Sequence, residues 1–154
     1  MASTHRHVAR CSWAGSTGAG YLAHSRTHQG GARPATAHLT LSSDPAFGGD
    51  ATLLNPEQLV VLAAASCQLL SFLAVAARAR VDVIAYEDEA EGEMPEDDPP
   101  VRLTRIVLRP RITLGVPVSG DRARHLIRVA HRECYIANSL RADVVVEPTF
   151  VVPQ

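Results

Sequence analysis

Lysine is absent from this 154-residue chain, whose fifteen basic side chains are all arginine. Without a side-chain amine, Schiff-base chemistry and attack by a lysine nucleophile are excluded. Cysteine is scarce: Cys11, Cys67 and Cys134 are too few and too far apart for a disulfide-stapled scaffold, and no CxxC pair marks a zinc site. His125 and His131 have no ligand spacing that would recruit Cys67 to a metal, so neither a metal nor another cofactor is expected. A surplus of either charge is lacking too. The formal charge is -1, which leaves no electrostatic basis for binding nucleic acid. The N-terminal MASTHRHVARCSWAG has no apolar stretch of the kind that directs export, so a cytoplasmic location with reduced thiols is expected.

What the chain does have is one long apolar run. Between Glu57 and Arg78 lie about twenty uncharged residues, the length a bilayer demands. Gln58, Ser66, Gln68 and Ser71 interrupt it, much of it is alanine, and no second apolar segment accompanies it. It reads as a helix buried nearly all round inside protein, not as a membrane span. The length suits one domain over residues 1–154.

Around that helix the pattern is mostly strand. RHVARCSWAG and YLAHSRTHQ read as a hairpin about the turn STGAG, and TAHLTLSS alternates Ala37, Leu39 and Leu41 with polar residues as a half-buried strand does. Asn55, Pro56 and Gln58 form a helix start with cap, first-turn proline and capping-box partner. After VDVIAY, the segment from Glu87 to Asp98 carries eight of the sixteen acids and reads as a strand passing into a solvated loop. VRLTRIVLRPRITLGVPV predicts a long strand bent at Pro110, SGDRARHLIRVAHRECYIANSL a second helix, and ADVVVEPTFVV a last strand. On the second helix Leu126 or Ile127, Ala130 and Cys134 share one face, so Cys134 points inward. The order, without βαβα alternation, indicates an α+β fold with antiparallel sheets packed around a long central helix. One small sheet covers such a helix poorly, and dimerisation with two long helices between two sheets would complete the cover.

A buried cysteine is usually a small hydrophobe, and Cys11 is assigned no other role. Cys67 and Cys134 differ in lying on the two core helices, where they can meet. NPEQLVVLAAASCQLLSFL, with Glu57 ten residues before Cys67, resembles the signature of the osmotically inducible and organic hydroperoxide resistance proteins, the OsmC/Ohr family. HRECYIANSL is similar to the family's segment around its second cysteine, at Cys134. The resemblance implies an intertwined homodimer and a thiol-dependent peroxidase. Cys67 attacks the peroxide, Cys134 resolves the resulting sulfenic acid as a disulfide, and a dithiol or thiol restores both. It also implies that Glu57 orients an arginine that activates Cys67. The two places where the family carries that arginine read Ser16, Thr17, Gly18 and Gly48, Gly49 here, so Arg26 is taken as the substitute, with Arg33 as the other choice. The other reading is a noncatalytic dimer of the same fold that binds a small hydrophobic ligand.

Overall fold

The capping box at Asn55 forms. Asn55 Oδ1 accepts from the Gln58 N–H at 2.8 Å, and Gln58 Oε1 accepts from the Asn55 N–H at 3.0 Å, so two donors at the helix start are satisfied reciprocally. Helix α1 follows, Pro56–Arg78. Its end is a Schellman arrangement: the Val81 N–H reaches the Ala76 carbonyl, the Arg80 N–H reaches Ala77, and Arg80 takes the left-handed conformation at φ 55° that glycine usually fills. Arg122 adds a guanidinium N–H to the Ala79 carbonyl at 2.8 Å, a cation at the negative pole of the helix.

The computed structural model describes residues 2–152, in two compact units, Met1–Leu59 and Val60–Gln154. In the first, β1 (Arg10–Ser12), β2 (His28–Gly31) and β3 (His38–Leu41) form an antiparallel sheet with Cys11 opposite Gly30. The predicted hairpin is therefore real but shorter, because residues 13–27, including YLAHSRT, make the connection instead of a strand. Leu41 is buried while Leu39 is exposed, so the alternation in TAHLTLSS yields only one core residue. A 3-10 turn at Pro45–Phe47, capped by Asp44, leads toward α1.

The second unit holds two sheets. One has the order β4 (Val83–Asp88), β7 (Pro110–Leu114), β9 (Thr149–Val151); the other has β5 (Glu91–Glu93), β6 (Arg105–Leu108), β8 (Asp143–Val146). The α+β class stands, but antiparallel pairing throughout does not: β7 with β9 and β6 with β8 run parallel. The intervening α2 (Gly120–Glu133) and α3 (Tyr135–Ser139) supply the long crossover that parallel neighbours require. The bend expected at Pro110 is a change of sheet, with Arg109 alone between β6 and β7. Pro110 opens β7, a position where a missing N–H costs little. The last predicted strand divides in the same way into β8 and β9.

Two cores result. Phe72, Val75 and Ala76 of α1 pack with Ile112, Leu114, Leu126, Ile127 and Ala130, and Ala64 packs with Ile106, Leu108 and Val144. Contrary to the sequence reading, α1 is not buried all round within one chain. By length and composition it could cross a membrane. Its inner face fills these cores, while Leu62, Ser66, Leu70 and Leu73 make an exposed stripe at four-, four- and three-residue spacing, Leu70 being 63% and Leu62 56% exposed.

Candidate active site

The sequence predicts one helix over residues 119–140, and the structure breaks it at a single residue. Ser119 caps α2 by accepting from the Arg122 N–H, and α2 runs to Glu133, which is paired to Arg78 at 2.5 Å. Cys134 then leaves helical geometry (φ -73°, ψ 104°), closing α2 through its N–H to the His131 carbonyl and starting α3. No glycine or proline announces this break. Its consequence is local: the first N–H groups of α3 have no partners within the helix. One of them, on Ile136, donates to Cys67 Sγ at 3.5 Å.

The two thiols of α1 and the α2–α3 junction are thus neighbours. Cys67 is half-buried, whereas Cys134 is fully buried. Burial pushes the Cys134 thiol up to about 11; the adjoining Cys67 thiol adds to the rise, and the peptide groups of Ala137 and Ile136 oppose it. At neutral pH Cys134 is a protonated thiol, so of the pair Cys67 is the one that solvent and reagents reach. No disulfide joins them: all three cysteines are free.

The remaining sequence candidates lie in the first unit. Glu57 stands in the first turn of α1, and the ten residues to Cys67 correspond to about 15 Å along a continuous helix. Arg26 donates through Nη1 to the His24 carbonyl and through Nη2 to the Tyr21 carbonyl, each at 2.5 Å, and its guanidinium sits 4.6 Å from the Tyr21 ring centre. Among the described residues no ion pair joins Glu57 to Arg26. The guanidinium also lies where a Gly48 side chain would stand, 3.2 Å from an ideal Cβ.

Three polar side chains to which the sequence assigned no role in the site lie in the second unit. Gln68, next to Cys67, is fully buried, and neither end of its amide has a hydrogen-bond partner among the described residues. Tyr86 and Asp88 share the inward face of β4, and the Tyr86 hydroxyl and Asp88 Oδ2 are likewise buried and unpartnered. Burial raises the Tyr86 phenol, and the charges of Asp88 and Cys134 raise it further. Asp88 is raised by burial against the opposing peptide N–H and charge of Arg109. The available signal was the period-two spacing of Tyr86 and Asp88 in VIAYED. A buried amide without partners lowers stability, so Gln68→Met, similar in volume and apolar, is expected to stabilise the fold by about 1–3 kcal/mol in urea unfolding. An unchanged or lower midpoint would show that the amide is satisfied.

The family profile described as OsmC-like protein matches residues 48–149, a span that contains Glu57, Cys67 and Cys134. Solved structures resemble nearly the whole chain. An OsmC-like protein of unknown function from Vibrio cholerae is 26% identical with a TM-score of 0.84, the match covering 95% of this chain and 100% of that one. An organic hydroperoxide resistance protein from Elizabethkingia anophelis is 18% identical with a TM-score of 0.72, covering 99% and 100%. An organic hydroperoxide resistance protein OsmC from Legionella pneumophila is 17% identical with a TM-score of 0.69, covering 98% and 100%. No curated protein matches the chain.

Proposed function

Because the chain belongs to the OsmC-like protein family, we propose that it is a thiol-dependent hydroperoxide reductase working through Cys67 and Cys134. The observation that carries this reading is the meeting of the two thiols, one reachable and one buried. The Cys67 thiolate attacks the outer oxygen of a hydroperoxide; the O–O bond breaks, the alcohol leaves with a proton, and Cys67 becomes a sulfenic acid. The Cys134 thiol attacks that sulfur, water departs, and a disulfide remains. A dithiol or thiol then reduces it by exchange, and no cofactor takes part. Glu57 is too far along α1 to act on Cys67 directly and serves through an intermediary, for which Arg26 is the candidate. The exposed stripe Leu62, Ser66, Leu70 and Leu73 packs against a second copy, giving a cytoplasmic homodimer.

The wall around Cys67 on α1, with Leu62, Ala63 and Leu70, favours organic peroxides. Burying about 60 Å² more apolar surface contributes about 1.5 kcal/mol, roughly tenfold in rate. Single-turnover oxidation of the reduced protein by cumene hydroperoxide is expected to outrun that by hydrogen peroxide by about this factor; equal slow rates with both would sink the reading. One feature favours the noncatalytic alternative, a dimer binding a small hydrophobic ligand: Arg26 is already tied to two carbonyls and to the Tyr21 ring. Absence of any peroxide consumption would leave that alternative standing.

A further inference from the structure

Charge is unevenly placed along the chain. Four arginines and five histidines precede Asp44, and no aspartate or glutamate does. All six ion pairs among the described residues lie in the second unit, so Arg10 and Arg33 of the first take part in none. The β1-β2-β3 sheet sorts these cations by face. Arg10 lies opposite Gly31, and Gly31 opposite His38, so the three positions share one face. Ser12, Gln29 and Thr40 form the next row of that face, where the Gln29 amide and the Thr40 hydroxyl are hydrogen-bonded at 3.2 Å. Cys11, Gly30 and Leu39 fall on the other face, with the buried Leu41.

The two strand glycines do different things. A Cβ on Gly30 would meet Leu41 Cδ1 at 2.9 Å, so that glycine makes room for a core residue. A Cβ on Gly31 would meet only the movable ring of His38, at 3.0 Å from Nδ1, and the Ala37 carbonyl at 3.6 Å. Gly31 is outside the left-handed region, so its backbone does not demand glycine either. What it supplies is an open floor, the use of a strand glycine where a ligand approaches the backbone. With strands about 4.8 Å apart, Arg10 and His38 flank that floor at about 10 Å between Cα atoms. The connection from β2 to β3 borders it with a second guanidinium, Arg33, and an apolar edge, Pro34 and Ala35, giving a cleft of about 420 Å³ with no acid in its lining.

We propose that this cleft binds a small phosphomonoester, its phosphate over Gly31 between Arg10, His38 and Arg33 and its organic group along Pro34 and Ala35. Guanidinium groups offer paired N–H donors that match phosphate oxygens. The volume falls in the range of small-molecule sites, roughly 300–1,000 Å³, and exceeds what bare phosphate fills. Every residue of the cleft lies in the first unit, and the inference does not rest on the peroxidase reading.

The test is isothermal titration calorimetry of the full chain at constant ionic strength, with phenyl phosphate and inorganic phosphate as probes. Phenyl phosphate is expected to bind with Kd below about 1 mM, and inorganic phosphate about tenfold more weakly for want of the ring's apolar burial. Arg10→Gln and Arg33→Gln, both at exposed positions that folding does not depend on, should each weaken phenyl phosphate by at least about tenfold, the loss of one charge-assisted pair. Gly31→Val should abolish binding without altering charge, while Arg6→Gln, the same charge loss outside the cleft, should leave the affinity unchanged. No binding by the parent at about 5 mM, parental affinity in Gly31→Val, or equal weakening by Arg6→Gln and Arg10→Gln would overturn the proposal. Equal affinities for the two probes would overturn the choice of a phosphomonoester over phosphate. A changed sedimentation coefficient in Arg10→Gln, with neither probe binding the parent, would give the cleft to an acidic segment of a second copy instead.

Discussion

Cys67→Ser is expected to lose peroxide consumption by at least roughly a thousandfold, the scale on which removing a nucleophile acts when its partners cannot substitute for it. The reason lies in the division between the two thiols. Cys134 is fully buried and held protonated by its surroundings, so with Cys67 gone it is not an alternative site of attack at neutral pH. A serine hydroxyl at position 67 is a far weaker nucleophile toward the O–O bond than a thiolate and forms no persistent oxidised state, and the Ile136 N–H that faces the sulfur has nothing to stabilise. Cys134→Ser should differ in kind: the first equivalent of peroxide is still consumed, a sulfenic acid at Cys67 can be trapped with dimedone, and further peroxide drives Cys67 to sulfinic acid. Rapid-reaction measurement of peroxide loss in both variants checks this, and near-parental consumption by Cys67→Ser would refute the assignment.

Phe72→Ala carries the largest expected effect on stability, a loss of about 3–5 kcal/mol in urea unfolding. Phe72 is fully buried, and its ring lies 6.1 Å from those of Tyr86 on β4 and Phe150 on β9, so one side chain ties α1 to both edges of the β4-β7-β9 sheet. A small domain is stable by about 5–15 kcal/mol, so such a loss removes between about a fifth and nearly all of that margin. A loss below about 1 kcal/mol would show that the surrounding side chains collapse into the space, contrary to the packing described.

The long central helix could be read from the chain because its signals are local: an asparagine cap, a proline, a glutamine three residues on from the cap, and a run of about twenty residues without charge. The two thiols could be paired because the segments around them match a family pattern and because helical spacing turns Cys134 inward. Parallel pairing was hidden, since β6 to β8 and β7 to β9 are joined through α2 and α3, and sequence alternation does not report which strands a crossover brings together. The break at Cys134 was hidden for a different reason: with no glycine or proline there, the turn is set by packing against α1. Tyr86, Asp88 and Gln68 look like ordinary strand and helix residues in the sequence. Only their burial without partners sets them apart. The exposed Leu62 and Leu70 show the opposite limit, because apolar periodicity marks a residue for burial without saying whether the same chain buries it.

The reading turns on whether Cys67 and Cys134 form a bond on oxidation. The most direct measurement is peptide mass spectrometry of the reduced protein after one equivalent of cumene hydroperoxide, with free thiols blocked before digestion. A Cys67–Cys134 linked peptide is expected as the main oxidised product, with Cys11 recovered as a blocked thiol. Recovery of both Cys67 and Cys134 as blocked thiols, or of Cys67 as sulfinic acid beside an unreacted Cys134, would contradict it.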